Sequence, residues 1–288
     1  MRLLTTAADM RAWSRGAHAA GKTIGFVPTM GYLHEGHISL VRHARAICDT
    51  VAASVFVNPA QFGPSEDFAR YPRDPARDET MLREARVDVL FHPSVEEMYP
   101  GGAGAQRAWI TVEGLSDTLE GAARPGHFRG VATVVAKLLN IVEPDVACFG
   151  QKDAQQACVI AVMARDLNVA ARIEVCPTVR EADGLAMSSR NSYLSPAERA
   201  AAPVLHRALC AAAELAEAGE RSPRAIVNRA RLVLAGEPLF RTEYVELVGR
   251  EDLHPLPEGG PGGEALLLVA GRMGHTRLID NRIVAVKG

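Results

Sequence analysis

Residues 23–37 read Thr-Ile-Gly-Phe-Val-Pro-Thr-Met-Gly-Tyr-Leu-His-Glu-Gly-His. The apolar run 23–27 has strand character and is expected to end at Pro28. From 36 to 48, Ile38, Val41 and Ile47 recur at helical spacing. A strand that passes through a glycine-containing turn straight into a helix is half of a crossover unit. Glycines here let backbone approach a ligand closely. A helix opening near Gly36 aims its N–H groups and positive dipole end at the strand tip, which suits phosphate. His34 and His37 are three apart and can face one ligand, donating to a phosphate oxygen as charge builds on it. The competing readings are a helix-cap or surface role, and a zinc pair, for which no third ligand sits nearby.

Outward from this stretch the same alternation repeats. Strands are predicted at 51–57, 87–91, 145–149 and 172–176, and helices at 76–85, 131–141 and 154–167. Strands alternating with helices imply a parallel sheet, with ligands beyond the carboxyl ends of its strands. The places to look are therefore just after Val27, Val57, Phe149 and Cys176. The last third differs. One long alanine-rich helix is predicted at 196–218, with Ser195 as cap and Pro196 as first residue, and a second helix at 223–234. Strands at 244–248, 265–270 and 277–286 form a small antiparallel sheet, and 256–263 is a Pro/Gly-rich loop. The domain junction falls near 180–186, dividing the chain into 1–182 and 183–288.

Composition narrows the function class. With 288 residues, 48% hydrophobic and 23% charged, the chain can bury a sizeable core in two domains. A formal net charge of -2 argues against a nucleic-acid binder, which needs a basic excess. The first residues hold no long apolar segment of signal-peptide type, and no stretch reaches membrane-spanning length. Cys48, Cys148, Cys158, Cys176 and Cys210 are scattered and form no CxxC pair, the pattern of free thiols in a reducing cytoplasm.

Each strand end carries chemistry. After the second strand come Asn58-Pro59-Ala60-Gln61-Phe62. Pro59 forces an exit from the sheet, and the Asn58 and Gln61 amides suit a ligand with hydroxyls and a carboxylate. In Arg124–Val131, Gly126 and Gly130 mark a tight backbone path, with His127 and Arg129 at a helix start. Gly150-Gln151-Lys152-Asp153 is a glycine exit with a long-reaching cation in Lys152. Asp153 is a helix cap, or accepts from a ribose hydroxyl, or helps hold magnesium. Gln156 follows Lys152 by one turn. Met187-Ser188-Ser189-Arg190 offers two hydroxyls and a guanidinium as a phosphate clamp near the junction, where hinge motion can close it.

The segment PTMGYLHEGH resembles the HxGH signature of the nucleotidyltransferase superfamily, shared with class I aminoacyl-tRNA synthetases, and in its longer form the pantothenate synthetase (pantoate–β-alanine ligase) family. Residues 56–62, 124–131, 149–156 and 183–191 are similar to further segments of that family, in the family's order and across most of the chain. The resemblance implies an α/β fold: a Rossmann-like parallel-sheet nucleotidyltransferase domain with a smaller α+β C-terminal domain acting as a lid. It implies a ligase that joins pantoate to β-alanine through a pantoyl-adenylate, releasing AMP and pyrophosphate. It makes His34, His37, Lys152 and Arg190 the catalytic candidates. ATP contacts carry over to Met30, Gly31, Tyr32, Leu33, His34, Glu35, Gly36, His37, Gly150, Gln151, Lys152, Asp153, Val179, Met187, Ser188, Ser189 and Arg190. Pantoate and β-alanine contacts carry over to Met30, Asn58, Gln61 and Gln156, with Arg124 and His127 near the site. Mg²⁺ accompanies ATP; Asp78 is a candidate ligand in a region that carries acidic residues in relatives, with a surface helix charge as its expected role. A cytoplasmic homodimer is implied, with no nucleic-acid or membrane partner. The chain departs from the family at Gln151, where Glu is usual. Activity is expected to survive, because the contacts implied there are chiefly lysine and backbone. An adenylyltransferase that keeps AMP in its product would use the same HxGH physics; the matches at 150–156 and 187–190 and the Asn58/Gln61 loop favour the ligase. A non-catalytic relative would show a basic face and a damaged HxGH, and this chain shows neither.

Overall fold

The computed structural model describes residues 1–64, 66, 68–260 and 262–286. They divide into two compact units, one made of 1–150 and 155–177, the other of 151–154 and 178–288. The turn 151–154 thus groups with the C-terminal unit although it follows a strand of the first.

The first unit is built on a six-stranded, all-parallel sheet. Its strands are β1 (Arg2–Leu4), β2 (Ile24–Thr29), β3 (Thr50–Val55), β4 (Val89–Phe91), β5 (Val146–Gly150) and β6 (Arg172–Cys176), in the order β1-β4-β3-β2-β5-β6. The helices are α1 (Ala7–Ala19), α2 (Glu35–Ile47), α3 (Pro75–Glu84), α4 (Val95–Met98), α5 (Glu120–Ala123), α6 (His127–Val142) and α7 (Ala154–Asp166). β2 and β3 are apolar throughout most of their paired length because both faces are covered. From β2 the chain steps one way to β3 and β4, and later the other way to β5 and β6. That reversal is the topological switch point at which open α/β sheets bind ligands. β2 and β5 stay paired only at Gly25↔Val146 and Phe26↔Ala147 and then part.

Several boundaries differ from expectation for identifiable reasons. β2 runs through Pro28, which lies opposite Ser54 of β3. The β5 ladder has ended by then, so the missing proline N–H costs no sheet hydrogen bond. Ile47 of α2 is 41% exposed, and the buried stripe is Ile38, Leu40, Val41 and Ala44. α6 begins at His127, earlier than the apolar run suggests, because Gly126 (φ 82°) turns the chain into it. β1 and α1 carry weak signals: three residues at a sheet edge, and a helix whose buried residues are Met10 and Ser14.

In the second unit the predicted long helix is two, α8 (Pro196–Ala201) and α9 (Val204–Glu217). Pro203 separates them, since a proline inside a helix removes one hydrogen bond and clashes with the preceding turn. Helices α9 and α10 (Pro223–Ala235) pack on an antiparallel sheet of β7 (Phe240–Gly249), β8 (Gly263–Met273) and β9 (Thr276–Val286). The alanines explain the fit: Ala208, Ala212, Ala213 and Ala216 form the buried face of α9 and admit Ile226, Val245 and Leu267 closely. The loop predicted at 256–263 precedes β8; its Pro261 lies outside the described residues.

Candidate active site

The loop after β2 is shaped by strain and its relief. Gly31 and Tyr32 are both in the left-handed region, with φ of 83° and 51°. A tyrosine adopts this at a cost of about 1–2 kcal/mol. The compensating group is Asp78 of α3, whose carboxylate accepts Tyr32 N–H at 2.8 Å and Leu33 N–H at 2.7 Å. Hydrogen bonds to a charged group contribute about 1.5–3 kcal/mol each. Asp78 is 2% exposed, which corrects the expectation of a surface charge. α3 is polar on most positions, so its pattern hides which acid turns inward. Gly31 is required for space as well: a Cβ there would lie 2.9 Å from Asp78 Oδ2 and 3.0 Å from Val55 Cγ1.

The two histidines sit where the sequence places them, at the entry of α2, but the helix start is used differently. Gly36 N–H donates to His34 Nδ1 at 3.2 Å, and His37 N–H donates to His34 O at 2.8 Å. These amides therefore close the helix end rather than wait for an anion. His34 N–H in turn donates to His37 Nδ1 at 3.3 Å. With both Nδ1 atoms accepting, each neutral ring carries its proton on Nε2. The rings stack obliquely with centroids 4.1 Å apart at the entry of α2, beside the switch point. Glu35 pairs with Arg42 on the exposed side of α2.

The loop after β3 contains a buried polar relay that fixes Gln61. Asn58 is 1% exposed and Gln61 8%. Asn58 Oδ1 accepts from Tyr99 Oη–H at 2.9 Å and from Ala60 N–H at 3.2 Å. Burial pushes the Tyr99 hydroxyl up to about 12, so it remains a neutral donor. The orientation of the Asn58 amide follows, and its Nδ2 donates to Gln61 Oε1 at 3.0 Å and Gly130 O at 3.2 Å. Gln61 Nε2 is thereby turned the other way, toward Met30 Sδ at 3.1 Å. Asn58 spends its amide on the protein and acts on Gln61.

The backbone of Gln61 is held as well. Arg124 forks onto Glu66 at 2.8 and 2.6 Å and lies 2.9 Å from His127 Nε2 through Nη1. A guanidinium only donates, so His127 Nε2 accepts and Nδ1–H donates to Gln61 O at 2.8 Å. Burial, reinforced by the Arg124 charge, lowers the His127 pKa to about 4, which keeps the ring in this neutral form. Burial alone would raise the Glu66 carboxyl, but the Arg124 guanidinium holds it below its usual range. Glu66 and Tyr99 escaped the sequence reading, since nothing in a lone Glu or Tyr on a loop marks a partner 58 or 41 residues away. The tight path expected at Gly130 is present: a Cβ there would fall 2.2 Å from Ala60 O.

In the second unit, Gln151–Asp153 form a single 3₁₀ turn, with Lys152 Nζ 3.1 Å from Asp153 Oδ1. Val179 and Met187 lie on opposite legs of one hairpin, Met187 N–H donating to Val179 O at 3.0 Å. Arg180 and Ala186 bridge the legs, and Gly184 (φ 93°) turns the tip. The hairpin delivers Ser188, which caps a 3₁₀ turn over Ser189–Tyr193 by accepting from Arg190 N–H at 3.3 Å. The turn is tied back to the hairpin by Asn191 Nδ2, which donates to Ala186 O at 3.0 Å. Gln156, in the first turn of α7, is partly exposed and belongs to the first unit, whereas its neighbour Gln155 is buried against Leu115 O, Thr118 O and Glu120 N–H. Gly150 closes β5. Among the described residues no group of three or more His, Cys, Asp or Glu side chains could hold a metal ion, and no helix is long and apolar enough to cross a membrane.

Known proteins are similar to this chain in sequence and architecture. A pantothenate synthetase of Chloroflexus aggregans is 57% identical over 270 residues, covering 94% of this chain and 96% of that one. One of Heliobacterium modesticaldum is 54% identical over 286 residues, covering 99% and 100%. The crystal structure of pantothenate synthetase from Thermus thermophilus superposes with a TM-score of 0.90 at 50% identity, covering 98% of this chain and 99% of that one. A pantoate-beta-alanine ligase from Francisella tularensis, solved with beta-gamma ATP and beta-alanine, gives 0.78 at 32% identity, covering 98% and 97%. The family model described as Pantoate-beta-alanine ligase matches residues 2–283, and the chain belongs to that family.

Proposed function

We propose that this chain condenses pantoate with β-alanine at the expense of ATP, through a pantoyl-adenylate, giving pantothenate, AMP and pyrophosphate. The observation that carries the reading is the stacked His34–His37 pair, with both Nδ1 atoms accepting backbone N–H groups. In the first half-reaction a pantoate carboxylate oxygen attacks the α-phosphorus, the bond to the bridging oxygen breaks, and pyrophosphate leaves. Charge moves onto the departing phosphate, and we assign the imidazole Nε2–H groups to it. One such preorganised donor is worth about 3–4 kcal/mol of barrier. To Lys152, Ser188, Ser189 and Arg190 we assign binding of the phosphates, and to Asp153 a ribose hydroxyl. Met30–Gly36, Gly150, Gln151, Val179 and Met187 are assigned to the nucleotide through backbone and packing.

Gln61 is assigned to pantoate. Because Asn58 holds its Oε1, the Nε2–H₂ group is the end presented, and it donates to carboxylate or hydroxyl oxygens. To Gln156 we assign a second pantoate contact, and to Met30, which lies against Gln61 Nε2, a packing contact with the same substrate. In the second half-reaction the β-alanine amine, as free base, attacks the acyl carbon and AMP leaves. No protein nucleophile is required; the residues hold reactants in near-attack positions. Magnesium enters as part of the ATP substrate. Both Asp78 oxygens are engaged by backbone N–H groups, so we assign Asp78 to shaping the loop. A cytoplasmic homodimer is proposed on family likeness, and sedimentation tests the assembly.

The decisive assay mixes ATP, pantoate and β-alanine and follows AMP. AMP formation must require both pantoate and β-alanine; release without either one refutes the reading.

A further inference from the structure

Two segments to which phosphate binding is assigned, the Lys152 turn and the hairpin leading to Ser188–Arg190, are held by two neighbouring residues of β9. Asp280 is 3% exposed and takes the Arg180 guanidinium through Oδ2 at 2.7 Å and Oδ1 at 3.0 Å. The same guanidinium donates to Gly184 O at 3.1 Å, so the base and tip of the hairpin close on it. Asn281, also 3% exposed, donates through Nδ2 to Gln151 O and Lys152 O, both at 2.9 Å. Its Oδ1 accepts from Gln151 Nε2 at 3.0 Å, and its own N–H donates to Asp280 Oδ1 at 2.8 Å. A single 3₁₀ turn has poor internal hydrogen bonding and is not rigid by itself. The Asn281 amide supplies the missing constraint from the edge strand β9, midway along its ladder with β8, where Asn281 lies opposite Leu268.

We propose that Asn281 and Asp280 are positioning residues for the adenylation step, setting Lys152 and the Arg190 turn in one frame before the nucleotide arrives. The inference rests on the phosphate-binding role given above to Lys152. It also accounts for the Gln151 departure. The clamp on the turn grips main-chain carbonyls, so the side chain at 151 adds one further bond but does not hold the turn alone.

The test uses the full chain with Asn281→Ala, Asn281→Asp, Lys152→Ala and the Lys152→Ala/Asn281→Ala double variant. Pantoate-dependent ATP–pyrophosphate exchange reports adenylation; conversion of pre-formed pantoyl-adenylate with β-alanine reports the second half-reaction. Both Asn281 variants should lower exchange kcat about 10- to 100-fold, the scale of a misplaced reacting geometry. KM for ATP should rise, while KM for pantoate and the second half-reaction stay at wild-type values. In the Lys152→Ala background, Asn281→Ala should add less than about threefold, because coupled residues are not additive. The aspartate variant keeps shape while turning an acceptor against two carbonyls. Asn281→Ser serves if neither of the others melts cooperatively. Wild-type exchange in a folded Asn281 variant, equal loss in both half-reactions, or additivity with Lys152→Ala overturns the proposal. Unchanged exchange in Lys152→Ala alone would instead sink the phosphate-binding reading on which it stands.

Discussion

Gly130 gives the sharpest test of how Gln61 is held. It lies inside α6, where alanine is ordinarily better by about 0.5–1 kcal/mol. A Cβ at this position would sit 2.2 Å from Ala60 O, 2.6 Å from Ala60 C and 2.8 Å from Gln61 Cα. Relieving the first contact to an ordinary C···O separation needs a shift of about 1 Å. The obstructing atoms are backbone, and their loop is pinned by the Asn58–Gly130 and His127–Gln61 bonds, so it does not yield freely. Overpacking of this kind costs about 1–3 kcal/mol. After subtracting the helix-propensity gain, Gly130→Ala should be destabilised by about 1–2 kcal/mol, or about 2–8 °C in Tm for a unit of this size. Gly16, in α1, is the control: nothing lies within 4 Å of its Cβ position. Gly16→Ala should gain about 0.5–1 kcal/mol and melt higher by about 1–4 °C. Calorimetry with steady-state kinetics reads both effects, and kcat/KM for pantoate should fall about 100-fold in Gly130→Ala alone, as Gln61 moves with its backbone. A Gly130→Ala protein that melts at or above wild type with unaltered pantoate kinetics would show that the Ala60–Gln61 backbone is not held against α6.

Asp78→Asn puts an amide N–H₂ against one of two backbone N–H donors; it should cost about 2–4 kcal/mol in urea unfolding and lower the rate of pyrophosphate exchange. His127 gives a pH signature. Its folded pKa of about 4 lies below the ordinary 6.5, so the unfolded chain binds more protons between these values. Its contribution is full above pH 6.5 and is lost as pH falls toward 4. The loss should be about 2 kcal/mol, under the roughly 3 of a fully sequestered ring, because His127 keeps some water contact. His127→Gln should flatten urea-unfolding free energy across that window, and an unchanged slope removes His127 from the account. Glu66 shares the sign, but its part is lost only below its ordinary 4.5. Gln151→Glu should retain exchange activity within about threefold, since it forfeits one neutral hydrogen bond of about 1 kcal/mol or less.

The sheet was legible because its strands are buried on both faces and its crossover helices are long. The places in the fold of His34, His37, Gln61, Lys152 and 188–190 were legible because each follows a strand end or a turn, where backbone geometry and residue type agree. What stayed hidden depends on distance along the chain. Asp78 reaches its partners across 45 and 46 residues from a helix that reads as surface. Glu66, Tyr99 and Asn281 act through a few long-range hydrogen bonds that leave no periodic trace. Pro203 is the opposite case: the break it causes in 196–218 is a local effect that the alanine-rich pattern overrode.

The grip of β9 on the Lys152 turn bears on how the protein is made. Asn281 enters the chain 129 residues after the carbonyl it holds. At about 5–20 residues per second, a ribosome takes on the order of ten seconds to cover that span. For most of this interval, from the completion of β6 at Cys176 onward, the parallel sheet of 1–150 and 155–177 has all of its strands, yet residues 151–154 lack the partner that sets their shape. A nascent chain should therefore reach a folded sheet well before it can handle ATP. Stalled or truncated chains ending before β9 should be compact and inert rather than partly active.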